Sequence, residues 1–407
     1  MRVAALVLVL ALGCAPGSSG DDGGFGGGAG GSGGAGGSGG SGGSGGTGGG
    51  GGSGGGVGGG GGGSANVTTV RVHYPAGTKR LAIRGSRTPL NWGSGVNLSA
   101  GADDTWSFTV TDLAGELEFK PLVDDITWSR GPNYKVQPGQ TVDVYPHFYN
   151  ASGTWSRYWP SVSSTILGNT RGVWVYFPPT YAENSRARFP VIYMHDGQNL
   201  FDPNAAFGGN PWRVQDALDT GAEDGTMREA IVVGPESSAD RIGEYTPSND
   251  PAYPSSGKGD LYLRFLVEEL KPKADAEPRT LTGREDTHVM GSSLGGLISS
   301  YAGRRKPEVF GHIGAMSPST WWDNLFIVGQ VNSTPAAPAR PLTVYVDVGT
   351  SNDGQADTVQ LAGAYRGVGY VDGTTFKYVV QQGASHNETY WRQRLPDALR
   401  FLLGPGR

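Results

Sequence analysis

One short stretch limits the possible folds of this chain more than any other part of it. Residues 287–296 read Thr-His-Val-Met-Gly-Ser-Ser-Leu-Gly-Gly, which predicts an apolar strand, a sharp turn and the start of a helix. Gly291 and Gly295 stand two positions to either side of Ser293, where a strained strand-to-helix turn leaves no room for larger side chains. The turn also places the serine at a helix N-terminus, which favours developing negative charge. We therefore predict that Ser293 is a nucleophile.

From about residue 161 the sequence alternates between apolar segments and helical segments. Because the apolar segments are nearly continuous, they predict a mostly parallel sheet that is covered by helices on both faces. In such a sheet, ligands bind at the carboxyl ends of the strands. The predicted strands are residues 172–177, 189–195, 230–234, the strand that leads to Ser293, 312–316, 342–346 and 376–380.

A serine nucleophile needs a base that is oriented by an acid, and on this kind of turn the acid and then the histidine follow the serine in the chain. His386, in a loop of small residues just past the last predicted strand, is the histidine that fits this order. Three aspartates are candidates for the acid. We prefer Asp353, which lies just beyond the penultimate strand, while Asp347 lies within that strand and Asp357 opens the next helix.

Attack on a carbonyl also needs N–H donors for the negative charge that forms on its oxygen. The first predicted donor is Leu294, directly after the nucleophile. The second follows an earlier strand, where Gly197 permits a turn that directs the N–H of Gln198 inward. His195, at the end of that strand, is predicted to line or brace the site.

The remaining histidines show no spacing that is typical of a metal site. No H-E-x-x-H pair or other ligand cluster accompanies His195, so we predict neither a metal nor another cofactor. His288 and His312 fall within predicted buried strands and are interpreted as core residues.

Residues 65–158 have a different pattern, in which short alternating segments are separated by turns. This pattern predicts a small β-sandwich of immunoglobulin-like type. Two of its tryptophan-containing segments, Leu-Asn-Trp at 90–92 and the loop at 126–133, resemble those of a starch-binding domain. The resemblance implies that Trp92 and Trp128 stack on sugar rings; the alternative is that both pack against the protein.

The N-terminal residues are predicted to direct the chain out of the cytoplasm. Residues 1–14 contain Arg2, a short apolar run and the single cysteine of the chain, Cys14. They resemble a bacterial lipoprotein signal in which the cysteine is lipidated; the alternative is an ordinary secretory signal. Residues 15–64 are nearly all Gly and Ser and are predicted to be a disordered linker. We therefore expect an extracytoplasmic lipoprotein, at the bacterial cell surface or outer membrane or in the periplasm.

The charge of the chain argues against nucleic acid as its main partner. The net charge is -5, and no long basic run is present. The predicted partners are instead an ester substrate, a membrane that is reached through the lipid anchor, and a glycan.

Residues 165–404 resemble the esterase D family of α/β-hydrolases. The resemblance rests on residues 193–201, 241–247, 291–296, 317–322, 349–353 and 385–386 with Trp391. It implies that Ser293, His386 and Asp353 form a triad and that Leu294 and Gln198 supply the oxyanion donors. Trp321 and Trp322 follow a strand end, and we interpret them as a hydrophobic wall for the acyl or aryl group, or as core residues. Glu244 and Tyr245 are predicted to line the mouth of the site.

The sequence therefore predicts an α/β-hydrolase domain at residues 159–407, preceded by the β-sandwich. We predict a serine carboxylesterase that works through an acyl-enzyme, on carbohydrate-linked feruloyl or acetyl esters or on siderophore esters. Two alternatives remain open. One is an acyltransferase of mycolyl-transferase type, and the other is a glycan-binding surface lipoprotein without catalytic activity.

Overall fold

The structure is a computed structural model that describes residues 66–333 and 342–406. The predicted signal with Cys14 and the predicted linker lie outside the described residues. Among the residues that are described, no helix is long and apolar enough to cross a bilayer.

The first part of the described chain forms two small sheets that face each other. One has the strand order β4-β5-β1-β9, and the other has the order β3-β2-β6-β7 with β8 paired to β6. Alternate residues of β1, such as Val70 and Val72, are buried in the core between the sheets, as period-two patterning requires. The strands are β1 Val67–His73, β2 Leu81–Gly85, β3 Val96–Asn97, β4 Ser99–Ala100, β5 Thr105–Thr111, β6 Leu117–Val123, β7 Thr127–Trp128, β8 Tyr134–Val136 and β9 Thr141–Val144.

The rest of the chain is built on an eight-stranded sheet with the order β10-β11-β13-β12-β14-β15-β16-β17. The β10–β11 and β11–β13 pairs are antiparallel, and all later neighbours are parallel. The strands are β10 Thr154–Ser164, β11 Asn169–Phe177, β12 Val191–Met194, β13 Ile231–Pro235, β14 Thr287–Ser292, β15 His312–Met316, β16 Thr343–Gly349 and β17 Phe376–Gln381. The prediction of a mostly parallel sheet preceded by a β-sandwich is confirmed.

The position of β10 moves one predicted boundary. The division between residues 158 and 159 falls inside this strand, which pairs with β11 from Thr154 onward. Most of its side chains are exposed because it is the edge strand of the sheet. Its sequence therefore lacks the apolar run by which the other strands are recognised, and the larger sheet begins at Thr154.

Helices cover both faces of the large sheet. They are α1 Pro179–Glu183, α2 Val214–Glu223, α3 Arg241–Tyr245, α4 Gly259–Arg264, α5 Lys271–Ala276, α6 Leu294–Arg305, α7 Trp322–Asn332, α8 Gln355–Gly367 and α9 Glu388–Leu403. A π-helical segment, Phe265–Leu270, joins α4 to α5, and 3₁₀ turns form at Gly197–Asn199, Phe207–Gly209 and Arg284–Asp286.

The central strands are buried on both faces. In β12, Val191 and Tyr193 pack into one hydrophobic cluster, while Ile192 and Met194 pack into the other. Because successive side chains of a strand point to opposite faces, a strand that is covered on both sides must be apolar throughout. This requirement explains the continuous apolar runs in the sequence.

The β-sandwich is attached to the larger sheet at α1. The Glu183 carboxylate accepts hydrogen bonds from the N–H groups of Phe148 at 2.6 Å and Tyr149 at 3.0 Å. The Asn184 amide donates to the carbonyl oxygens of His73 and Pro146, at 2.8 and 2.9 Å. These contacts lie within one compact unit, Ala65–Arg407.

His288 and His312 stack on each other between β14 and β15, with ring centroids 4.3 Å apart. His288 is buried, and neither of its ring nitrogens has a hydrogen-bond partner among the described residues. A protonated imidazole there would be an unpaired buried charge, which is costly. Burial accordingly lowers the pKa of His288 well below its ordinary value and also lowers the pKa of His312.

We expect the free energy of unfolding to fall as the pH drops. A histidine whose pKa is lowered by folding lets the unfolded chain bind a proton that the folded chain excludes, so stability is lost as the pH falls below about 6.5. At pH 5 the loss from His288 alone should be ~2 kcal/mol. Urea unfolding of the wild type and of His288→Leu at pH 7 and pH 5 measures it. An equal loss in both proteins would contradict this explanation.

Candidate active site

Ser293 lies between the end of β14 and the start of α6, with φ 58° and ψ −124°. A non-glycine residue at this φ is strained, and such strain is held in place only by the surrounding structure. A Cβ on Gly291 would lie 2.9 Å from Cδ2 of His195 and 3.1 Å from the backbone of Gly295. The predicted turn is therefore present, and close packing explains the glycine at 291.

His195 lies behind this turn. Its N–H donates to the Met290 carbonyl oxygen at 3.0 Å, and its Nδ1 is 3.0 Å from the Tyr262 hydroxyl. Burial lowers the pKa of His195 to about 3, so the ring is neutral at physiological pH. The structure thus places His195 as a brace under the turn.

His386 and Asp353 lie together at the carboxyl ends of the strands. His386 Nδ1 is 2.6 Å from Asp353 Oδ1. The Asp353 carboxylate has no exposed surface, while the His386 side chain is 36% exposed. Asp353 holds Nδ1, which leaves Nε2 as the nitrogen available to a serine or a substrate.

The two other candidate acids do not contact His386 in the hydrogen bonds of the described residues. Asp347 is buried within β16, where its Oδ2 is 3.1 Å from Nε of Arg394. Burial raises the pKa of Asp347 to about 6, although Arg394 opposes the shift. Asp357 lies in the first turn of α8.

The Ser293 hydroxyl lies 3.4 Å from the Ser319 hydroxyl. Within the described part of the chain, it forms no hydrogen bond with His386. Catalytic hydrogen bonds often tighten only when substrate is bound.

The two predicted oxyanion donors, Leu294 and Gln198, lie in the first turn of a helix and in a 3₁₀ turn. Leu294 is the first residue of α6, so its N–H has no acceptor within the helix. Gln198 lies in the 3₁₀ turn Gly197–Asn199, and its side chain and Ser237 hydrogen-bond each other twice, at 2.9 and 3.1 Å. A Cβ on Gly197 would lie 1.9 Å from the Gly234 carbonyl oxygen, so only glycine fits that turn.

The predictions for Glu244 and Tyr245 differ from what the structure shows. Glu244 is 1% exposed and pairs with Arg171 at 2.8 Å, so it does not line the mouth. Tyr245 has no exposed surface, and its hydroxyl accepts a hydrogen bond from the Asp196 N–H at 3.2 Å. Both residues therefore lie in the core, and the pairing with Arg171 compensates the buried charge of Glu244.

The two adjacent tryptophans have different environments. Trp321 is 37% exposed, whereas Trp322 is 1% exposed and its Nε1 donates to the Ser248 carbonyl oxygen. Tyr253 contacts both rings, with centroids 6.1 Å from Trp321 and 5.0 Å from Trp322. Trp321 is therefore available to a ligand, and Trp322 is a core residue.

Sequence reasoning missed an ion pair beside the predicted oxyanion loop. Arg241 donates to both carboxylate oxygens of Asp196, at 2.7 and 2.8 Å. Glu388, in the first turn of α9, has its pKa raised by burial and is affected by the charges of His386, Asp196 and Arg241. The segment 241–247 was noted for its resemblance, but no pattern in the sequence connects it to Asp196.

On the β-sandwich, Trp92 and Trp128 lie side by side. Their rings are 6.2 Å apart, and they are 39% and 38% exposed. The guanidinium of Arg84 lies 5.2 Å from the centre of the Trp128 ring, and its Nη1 donates to the Trp92 carbonyl oxygen. The structure brings the two predicted tryptophans together on the surface.

Among the described residues, no group of three or more His, Cys, Asp or Glu side chains is arranged to hold a metal ion.

The mixed sheet, with a serine on a strand-to-helix turn at its carboxyl edge, defines an enzyme of the α/β-hydrolase class.

Comparison with known families agrees with this class. The sequence model of the Esterase family, described as "Putative esterase", matches residues 164–402, more than half of the 407 residues. The chain therefore belongs to this family and is a carboxylic ester hydrolase.

Three curated relatives are similar over the same part of the chain. The uncharacterized protein YbbA of Bacillus subtilis is 25% identical over 61% of this chain and 98% of its own length. An endo-1,4-beta-xylanase/feruloyl esterase of Xylanibacter ruminicola is 25% identical over 59% of this chain and 30% of its own length. An iron(III) enterobactin esterase of Dickeya dadantii is 24% identical over 59% of this chain and 53% of its own length.

Proposed function

We propose that this protein is a serine esterase that works through an acyl-enzyme, with Ser293 as nucleophile, His386 as base and Asp353 as the acid of the triad. The observation that carries the proposal is the 2.6 Å contact between His386 Nδ1 and Asp353 Oδ1, at the sheet edge where Ser293 lies on its strained turn. A carboxylate at Nδ1 orients the ring and stabilises the imidazolium that forms during catalysis.

In the first half of the reaction, Ser293 Oγ attacks the ester carbonyl carbon while His386 Nε2 takes the hydroxyl proton. The negative charge that forms on the carbonyl oxygen is stabilised by the N–H groups of Leu294 and Gln198. His386 then gives the proton to the alcohol oxygen as the bond between carbon and alcohol breaks. The acyl group remains on Ser293.

In the second half, water takes the place of the alcohol. His386 removes a proton from the water, which attacks the acyl carbon, and the same N–H groups stabilise the second oxyanion. His386 returns the proton to Ser293 Oγ as the acid leaves. An alcohol in place of water would give acyl transfer, which product analysis with an added alcohol detects as a new ester.

We further propose that the acyl group is uncharged and aromatic or short, as in a feruloyl or acetyl ester. Arg241 is already held by both oxygens of Asp196, and Glu388 adds a carboxyl group near His386. The charges identified at the site therefore disfavour an anionic substrate such as a charged siderophore complex. Trp321, exposed and packed beside Tyr253, offers an aromatic surface.

Two matched esters test the proposed charge preference. Hydrolysis of p-nitrophenyl butyrate should exceed that of p-nitrophenyl hemisuccinate by about 10-fold or more in kcat/KM, because the second carries a carboxylate. A preference for the charged ester would contradict the proposed substrate class.

Trp321→Ala should lower kcat/KM for methyl ferulate by about 10-fold, with little change for p-nitrophenyl acetate.

We also propose that Trp92 and Trp128 bind glycan. Their exposure and their spacing of 6.2 Å support a stacking surface for sugar rings. Trp92→Ala and Trp128→Ala should each weaken retention of the protein on insoluble starch or another polysaccharide, while hydrolysis of p-nitrophenyl acetate stays unchanged. Retention that equals that of the wild type would show that the two rings serve packing only.

Finally, we propose that Cys14 carries a lipid anchor and that the enzyme works outside the cytoplasm. The support is the short apolar run that ends at the single cysteine. In a bacterial host, the wild type should separate with membranes and Cys14→Ser should not. Equal partition of the two proteins would contradict the anchor.

A further inference from the structure

Ser317 lies directly after β15, at φ 38°, a strained value for a residue other than glycine. Its N–H is held by Asp347, with the backbone oxygen and Oδ1 each 3.0 Å away. Its hydroxyl has three partners: Trp391 Nε1 at 3.0 Å, Arg394 Nη2 at 2.7 Å and Asp353 Oδ2 at 2.6 Å.

The chemistry of these partners fixes the direction of the hydrogen bonds. An indole N–H and a guanidinium can only donate, whereas a carboxylate can only accept. Trp391 and Arg394 therefore occupy the lone pairs of the Ser317 oxygen, and its single hydrogen must point to Asp353 Oδ2. The N–H of Gly349 donates to the same carboxylate oxygen, so Oδ1 is left for His386.

Arg394 belongs to α9 and is 4% exposed in its side chain. Its Nε is 3.1 Å from Asp347 Oδ2, and its Nη2 is 3.6 Å from Asp353 Oδ2. One guanidinium thus lies between two carboxylates that have no exposed surface. Two buried carboxylates without this cation would repel each other, and one of them would take up a proton.

We propose that Asp347 and Arg394 form a positioning pair that clamps Ser317 onto Asp353 and so holds Asp353 Oδ1 on His386. This inference rests on the proposed triad. It gives Asp347 a role other than that of the triad acid: Asp347 holds the backbone of Ser317 and the guanidinium of Arg394 at the same time. Glu388, on the first turn of α9, is a further charged group that interacts with His386.

Charge-changing variants of the whole chain distinguish this role from a merely structural one. In Asp347→Asn, Arg394 loses its partner carboxylate and turns its charge toward Asp353. The acid limb of kcat/KM against pH should then move to lower pH, and kcat/KM should fall by about 10-fold. The double variant Asp347→Asn/Arg394→Met removes both charges and the clamp with them, so the acid limb should return toward that of the wild type while kcat/KM stays lowered by about 10-fold or more.

The acid limb is read from kcat/KM against pH, and the NMR spectrum of the His386 ring reports on its contact with Asp353 independently of catalysis. Arg392→Met is the matched control, because Arg392 lies on the same helix and donates to the Pro211 carbonyl oxygen instead; it should leave the acid limb and the spectrum unchanged. Ser317→Ala removes one hydroxyl group and no charge, and it should lower kcat by about 10-fold with KM unchanged.

Two results would overturn the inference. One is an Asp347→Asn protein that folds and has the acid limb and the kcat/KM of the wild type, and the other is a double variant with the kcat/KM of the wild type. If Asp347→Asn does not fold, an unchanged kcat in Ser317→Ala overturns it. A wild type that hydrolyses no ester would contradict the proposed function instead, since the NMR spectrum of His386 reports on the clamp without catalysis.

Discussion

Ser293→Ala is expected to lower kcat for ester hydrolysis by about 10⁴–10⁶-fold. The variant keeps the N–H donors of Leu294 and Gln198 but has no oxygen that can form the acyl-enzyme. The loss is measured as the rate of p-nitrophenol release from p-nitrophenyl acetate under saturating substrate. The free energy of unfolding should change little, because among the described residues the side chain forms one long hydrogen bond, 3.4 Å to Ser319.

Ser292→Ala is the matched control for this substitution. Ser292 is the last residue of β14 and is 5% exposed, and it does not occupy the position between Gly291 and Gly295. Its replacement should leave kcat within a few-fold of the wild type, because its hydroxyl has no role in the proposed reaction. If Ser293→Ala were as active as Ser292→Ala, the nucleophile would be wrongly assigned.

Asp353→Asn is expected to lower kcat by about 10³–10⁴-fold. An amide can present its NH₂ group to His386 Nδ1, which favours the wrong tautomer of the ring and gives no charge to stabilise the imidazolium. KM should change much less than kcat, since Asp353 is 4% exposed. Steady-state kinetics at the pH optimum give both constants.

The comparison with Asp347→Asn distinguishes the two main candidates for the triad acid. Asp347 acts through Ser317 and Arg394, so its substitution should cost about 10-fold, far less than that of Asp353. A large loss for Asp347→Asn together with a small loss for Asp353→Asn would reverse the assignment of the acid.

The turn at Ser293 could be predicted from sequence because its requirement is local. The spacing of Gly291 and Gly295 around Ser293 reflects the lack of room for side chains at the turn, and in the structure a Cβ on Gly291 would contact His195. His386 could be predicted because few histidines follow the serine. Neither inference needed knowledge of distant contacts.

The acid was harder to choose because the two main candidates are six residues apart, one inside β16 and one just past it. A strand end can be misplaced by a residue or two from sequence. In the structure, Asp347 and Asp353 belong to one network through Ser317 and Arg394. The division of roles within that network depends on side-chain directions that spacing alone does not encode.

The prediction for Glu244 is wrong for the same reason: its position depends on a contact with a residue that is distant in the chain. Its partner Arg171 is 73 residues away in the chain, on β11, whereas Glu244 lies in α3, and no sequence pattern joins them. Charged residues are seldom fully buried unless they are paired. The ion pair with Arg171 makes its burial possible.

Labelling with a fluorophosphonate, which reacts with activated serines, tests the central claim most directly. The whole chain is treated with the reagent, digested and analysed by mass spectrometry. The account predicts one adduct, on Ser293, which forms rapidly in the wild type and in Ser292→Ala and is absent from Ser293→Ala. An adduct on Ser292 or Ser319, or no adduct in a protein that hydrolyses esters, would contradict it.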